Sequence, residues 1–273
     1  MKLLNNSRFT VEKQRALLTE MIRTDFKLRY QASVLGYVWS ILKPLFLFAI
    51  LYTVFARFLR LGADVPNYAL SLLLGIVLWN FFSEATSGAL KSVVAKGSLI
   101  RKIDIPRYLI PIASVSSAFI NMLLNLVVVF IFVAFGTGTS VSWSTIVVFP
   151  LLVVQLIIFT LAVSFFLSAV YVKFRDIDHI WEVVKQALFY TIPIIYPLSR
   201  IPSELVQQVI ILNPLAQVIQ DARSSVTYSG SLRITDVYAN NFMILVPLLV
   251  VAVVLFIGVS YFNKRSKNFA ENV

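Results

Sequence analysis

Catalysis has little raw material in this chain. Its one histidine, His179, stands beside Asp178 in the run Lys173-Phe174-Arg175-Asp176-Ile177-Asp178-His179, and the ordinary reading of that setting is a solvated turn. With His179 as the sole base, no Ser/His/Asp set is credible, and no His or carboxylate cluster has the spacing of a metal site. Cysteine is absent, which removes disulfides, thiolate chemistry and cysteine metal sites. No Gly-x-x-x-x-Gly-Lys-Ser/Thr loop cradles a phosphate, since Lys91-Ser92 lacks the glycines. If ATP drives this protein, another chain must bind it.

The elements that carry these residues are apolar. Of 273 residues, 59% are hydrophobic and only 14% charged, which describes an integral membrane protein of several spans with no soluble domain left over. Between Tyr108 and Val172 there is no Asp, Glu, Lys or Arg. At about 1.5 Å of rise per residue, that stretch can cross a hydrocarbon core of about 30 Å twice. Gly136-Thr137-Gly138-Thr139-Ser140 marks a loop in its middle. A transmembrane hairpin follows, 111–135 and 145–170, with Arg101, Lys102 and Arg107 at one foot and Lys173 and Arg175 at the other.

Four further spans are expected, at 36–58, 68–90, 180–198 and 241–262. Lys43 and Pro44 fall near the start of the first. Lys43 can snorkel to headgroups, and Pro44 loosens the helix unless a neighbour satisfies the freed carbonyl. Glu84 lies in the second, where a central charge costs about 2.5–3.5 kcal/mol; a structural hydrogen bond in the inner half of the helix is its expected role. Pro193 and Pro197 break the far end of the fifth span. Segments 201–212 and 215–226, separated by Asn213-Pro214, are apolar but too short to cross, so a pair of re-entrant helices is expected before the last span, with a surface cap as the alternative.

Residues 1 to 35 precede any span, and 36 to 273 form one membrane domain of six helices. Within the first segment, 11–30 reads as an amphipathic helix suited to a membrane interface or a partner. Leu17, Leu18, Met21, Ile22 and Leu28 share one face, opposite Lys13, Glu20, Arg23 and Lys27. Asp25 interrupts the apolar face and needs a partner, for which Arg29 one turn on is a candidate. The start of the chain has no apolar core before a small-residue cleavage site, so a removable signal peptide is not expected.

Net charge is +11, and its distribution explains it. With the amino terminus inside, the inner segments hold 17 Lys and Arg and the outer loops five, Lys43 and Lys185 lying within spans. That is the positive-inside pattern for six helices with both termini cytoplasmic; nucleic acid is not implied. An ion-coupled secondary transporter would want midplane ionisable groups and repeated halves, and a membrane-embedded glycan-modifying enzyme would want acids or histidines at a membrane face. The membrane half of a primary transporter needs only short inner elements that another protein can push.

The residues themselves resemble a family. Asp25-Phe26-Lys27-Leu28-Arg29-Tyr30, then Ser33-Val34-Leu35-Gly36, Trp39 and Pro44, is similar to the amino-terminal signature of type-2 ABC exporter permeases for O antigen, capsule and teichoic acid. Leu99-Ile100-Arg101-Lys102 with Ile105-Pro106-Arg107, then Arg175-Asp176-Ile177, Thr191-Ile192-Pro193-Ile194-Ile195-Tyr196 and Asn213-Pro214-Leu215, follow in the family's order. Thr24 stands where the family often has Arg.

The resemblance implies an all-α membrane fold that acts as a homodimer in the bacterial inner membrane, with two separate nucleotide-binding ATPase subunits carrying the ATP and Mg. It implies no cofactor or metal in this chain. Asp25, Lys27, Arg29 and Tyr30 would belong to an interface helix. Val94 to Ile103 would be a coupling helix using Leu99, Ile100, Arg101 and Lys102, with Arg175 and Asp176 a second contact and the short pair around Asn213 and Pro214 an outer gate. The cargo implied is a lipid-linked glycan. Of the many aromatics that could face sugar rings, Tyr37, Trp39 and Trp79 are the candidates, against the alternative that they are belt residues.

Overall fold

A computed structural model describes residues 11–30, 35–60, 65–103, 105–135, 143–227 and 230–269. The side chains of Leu28, Arg29, Tyr30, Tyr37 and Ser144 lie outside the described residues. So do the hairpin tip around Gly136 and the Ser33-Val34 part of the amino-terminal signature.

All described elements are helical. In order they are α1 (Val11–Tyr30), α2 (Trp39–Leu51), continued by a wide π-type turn over Tyr52–Phe58, α3 (Tyr68–Ala95), α4 (Gly97–Lys102), α5 (Leu109–Phe135), α6 (Trp143–Lys173), α7 (Ile177–Thr191), α8 (Glu204–Ile211), α9 (Pro214–Val226), α10 (Ile234–Tyr238) and α11 (Leu245–Ser266). Among the described residues, five helices are long and apolar enough to cross a membrane: Trp39–Phe58, Tyr68–Ala95, Leu109–Phe135, Thr145–Lys173 and Asn241–Ser266.

The expected fifth span is the exception. Its helix begins earlier than expected, at Ile177, and stops at Thr191 after 15 residues, about 22 Å at the helical rise. Apolarity continues through Ile192, Ile194 and Ile195, which are buried. The helix does not, because Pro193 and Pro197 have no N–H to give and bias the residues before them toward extended backbone.

The bundle is built around α3, in which 72% of the most apolar window is buried, against 11% for the first of these helices and 17% for the last. α5 and α6 pack on α3, α9 packs on α6 and α3, and α11 lies against α6. A tight crossing fixes that last pair, because a Cβ at Gly258 would collide with the backbone carbonyl of Ala162. The core holds Leu72, Leu74, Ile76, Leu78, Phe81 and Phe82 from α3, with Ile219 and Ala222 of α9.

Two prolines and a buried arginine show how interrupted backbone is satisfied. Pro44 sits inside α2 and cannot donate to the carbonyl four residues earlier, that of Ser40; Asn125 Nδ2 on α5 donates to that carbonyl at 3.1 Å. At the other break, Arg223 of α9 is 4% exposed. Its Nε donates to the Ser71 carbonyl at 2.9 Å, and Nη1 and Nη2 donate to the carbonyls of Pro193 and Ile194. The Tyr68 hydroxyl donates to the Ile195 carbonyl. The segment after α7 is thus pinned to α3 and α9.

Candidate functional site

Two regions concentrate polar chemistry, one at the basic end of the bundle and one in a cleft between helices. At the basic end, α1 runs across α5 and buries Met21, with Leu17, Leu18 and Ile22 partly buried, against Val93, Ile100, Ile110 and Phe262. These are four of the five residues expected on its apolar face, the side chain of Leu28 lying outside the described residues. Asp25 bonds Lys96, at the junction of α3 and α4, at 2.9 Å. The candidate partner Arg29 has a side chain outside the described residues, and Lys96 answers the need for one. Gln14 accepts from the Tyr108 hydroxyl at 2.9 Å, which ties α1 to the start of α5.

α4 is a short helix of six residues hung from α3 by one break at Lys96, narrower than the expected span from Val94 to Ile103. Ile100 points into the inner core at 7% exposure and Leu99 is partly buried beside it. Arg101 and Lys102 consequently project outward and are exposed. The turn after α6 is similar. Arg175 and Asp176 are exposed, the Arg175 guanidinium standing 5.1 Å from the Tyr171 ring centroid, while Asp178 bonds Lys91 of α3 at 2.8 Å. Thus α1, α4 and the 173–178 turn are each fastened to the same end of α3. The sequence singled out Asp25, Asp178 and the basic residues; it did not reveal which acid meets which base, since Asp25 and Lys96 are 71 residues apart.

The second region is a cleft of about 760 Å³ between α2, α3, α5 and α7. Trp39 lines it, together with Lys43 and Pro44 of α2, Asn80 and Glu84 of α3, Asn121 of α5 and Lys185 of α7. Glu84 accepts from Asn121 Nδ2 at 2.8 Å, a structural hydrogen bond of the kind expected for it. Trp79 is elsewhere, 6% exposed and set between Phe82 and Phe189 with ring centroids 5.9 and 5.6 Å away. Tyr37 has its side chain outside the described residues. Only Trp39 of the three aromatic candidates is therefore placed on the cleft.

At the opposite end, Asn213 caps α9, its side-chain oxygen accepting from Leu215 N at 3.0 Å, and Pro214 opens the helix. This is a helix start in which the missing N–H of proline costs nothing. α9 is buried along nearly its whole length, whereas half of α8 is exposed. A polar chain crosses the buried side: Gln155 Nε2 donates to Gln217 Oε1 at 2.7 Å, and Gln217 Nε2 to Asp221 Oδ2 at 2.5 Å. Among the described residues, no group of His, Cys, Asp and Glu could hold a metal ion.

Five apolar helices long enough to cross a membrane, with short charged elements fastened to one end of the central one, define a multi-span membrane bundle. The ABC-2 type transporter family matches residues 16–227, and the chain belongs to that family. Membership implies a nucleotide-binding partner and a dimeric permease arrangement. An O-antigen export system permease protein RfbA of Klebsiella pneumoniae is 33% identical over 260 residues, covering 93% of this chain and 94% of that protein. A protein of the same name from Myxococcus xanthus is 29% identical over 263 residues, with 95% and 96% covered. The polysialic acid transport protein KpsM of Escherichia coli is 22% identical over 259 residues, with 94% and 96% covered.

Proposed function

We propose that this chain is the membrane subunit of an exporter that moves a lipid-linked polysaccharide, of the O-antigen or teichoic acid type, across the bacterial cytoplasmic membrane. Two copies face one another across the path, and a separate ATPase subunit binds each. The basic end is cytoplasmic and holds both termini. α7 makes a sixth, short crossing completed by the pinned 192–197 segment, and α8 and α9 dip back into the outer leaflet as the exit gate. α1 lies between the membrane interface and the ATPase.

The observation that carries this reading is the presentation of Arg101 and Lys102 on α4. Buried Ile100 anchors that helix beside α3, and the Asp25–Lys96 and Lys91–Asp178 ion pairs fasten the end of α3 immediately before it. A push on α4 is therefore a push on the central helix. The relatives named for O-antigen export and polysialic acid transport support the cargo class.

The test is reconstitution. The purified chain alone is expected to hydrolyse no ATP, and proteoliposomes holding it with its ATPase subunit should couple hydrolysis to inward-to-outward movement of extracted lipid-linked glycan. Robust hydrolysis by the chain alone, or hydrolysis by the complex that no lipid-linked glycan stimulates or follows, would overturn the reading.

A further inference from the structure

Lys43 and Lys185 stand apart from the basic clusters that orient the chain: Lys43 lies in the first turns of α2 and Lys185 within α7. They come from different helices, α2 and α7, yet line the same cleft. Ionisable groups at such depth face a partner or a substrate path rather than lipid. Lys43 makes no ion pair or hydrogen bond among the described residues. Lys185 Nζ is 2.6 Å from Ser87 Oγ, which occupies one of its three donors at most. Neither lysine forms an ion pair among the described residues.

The rest of the lining does not neutralise them. Glu84 is the single acid of the cleft, and one of its oxygens is taken by Asn121. Two further acids lie on α7 near Lys185: Asp178, which is bound to Lys91, and Glu182, which is three residues before Lys185 and outside the cleft lining. Asn80 offers a carboxamide with no hydrogen bond among the described residues, and apolar wall is supplied by Leu47, Val77, Phe81 and Met122. The cleft thus combines lysines from two separate helices, a spare amide donor and an apolar surface.

That combination selects an anion attached to something apolar. Ammonium groups act as point charges and suit a tetrahedral, many-oxygen anion approached from several sides, whereas a planar carboxylate is better met by an arginine fork. We propose that Lys43 and Lys185 together bind the phosphate group of a lipid-borne ligand in the cleft between α2, α3, α5 and α7. The ligand is either a resident phospholipid or, resting on the export reading above, the phosphate linkage of the transported lipid-linked glycan.

The experiment uses the chain with its ATPase subunit in nanodiscs of phosphatidylcholine and a photoactivatable long-chain alkyl phosphate, with the matching alkyl alcohol as control. The phosphate should label cleft residues several-fold more than the alcohol. Lys43→Gln with Lys185→Gln should cut that labelling by about tenfold or more, and Lys43→Arg with Lys185→Arg should retain most of it. Competition identifies the source: phosphatidic acid alone competes if a resident lipid is the ligand, and extracted lipid-linked glycan competes, with export slowed in the Gln pair, if the cargo is. Equal labelling by phosphate and alcohol, or equal labelling of wild type and the Gln pair, would overturn the proposal, as would loss of labelling in the Arg pair as complete as in the Gln pair. Wild-type complex that is labelled but exports no glycan would leave the phosphate site standing and overturn the export reading instead.

Discussion

Asn125 on α5 donates to the Ser40 carbonyl at 3.1 Å, the acceptor that Pro44 strips of its helical partner. The same amide also reaches the Asn121 carbonyl at 2.8 Å. One side chain thus repairs α2 and fixes it to α5 at the wall of the cleft. Asn125→Ala should cost about 1–3 kcal/mol of stability by leaving a buried carbonyl unmet. In a Pro44→Ala background, where residue 44 can donate, the same change should cost clearly less. Unfolding of the four variants in detergent measures the coupling; strictly additive losses would show that Asn125 does not serve the proline.

Gly75 makes room for Arg223. A Cβ at residue 75 would stand 2.6 Å from Nη2, so Gly75→Ala should displace the guanidinium and cost about 1–3 kcal/mol, the usual range for overpacking a filled site. Arg223→Gln should cost at least as much, because one side chain cannot replace three donors to the carbonyls of Ser71, Pro193 and Ile194. Amide hydrogen exchange across 192–201 should rise in both variants and stay low in a control such as Ser199→Ala, whose side chain is exposed. Unaltered protection in Arg223→Gln would show that the segment is held without it.

The limits of the sequence follow from where the information lies. The described helix α1 covers the residues of the amphipathic pattern, and the long hairpin is marked by the absence of charge over 108–172, because both signals are local. The fifth span is legible only in part, because the same apolar pattern serves a helix as far as Thr191 and a buried non-helical segment after it, whose carbonyls are met by the buried donors of Arg223 and Tyr68. Lys43 and Lys185 each read as a lone cation in a span. Their meeting depends on the rotation of α2 and α7 about their axes, and helices as sparsely buried as these leave that rotation unmarked in the periodicity. Asp25 signals its need for a partner by its place on an apolar face, yet Lys96 is supplied by tertiary packing.

The Asp25–Lys96 pair is partly buried, with the side chains 23% and 19% exposed, and it links α1 to the hinge between α3 and α4. Asp25→Lys or Lys96→Asp alone should loosen α1, with a cost of about 1 kcal/mol or somewhat more than a fully exposed pair gives. The double swap should restore much of it. Limited proteolysis within 11–30 in nanodiscs reports the docking; a swap no better than either single change would show that the pair does not hold the helix.

Orientation is testable because the chain has no cysteine. A single cysteine at Ser98 should be protected from an impermeant label added outside intact cells, and one at Thr139 or Ser229 should react. Reaction of the Ser98 variant from outside would reverse the proposed sidedness.

The central claim is that α4 transmits work from a separate ATPase. Arg101→Ala with Lys102→Ala removes two of five basic residues in the segment 91–107, leaving enough for orientation. The binding affinity of the ATPase subunit for the permease in nanodiscs is the most direct measurement. The double variant should insert and dimerise normally, lose about 2–5 kcal/mol of binding if these charges pair at a desolvated interface, and export no glycan, while Arg57→Ala with Arg60→Ala at the opposite end leaves binding unchanged. Wild-type affinity and transport in the Arg101/Lys102 variant would contradict the account and move the coupling contact to Arg175 and Asp176.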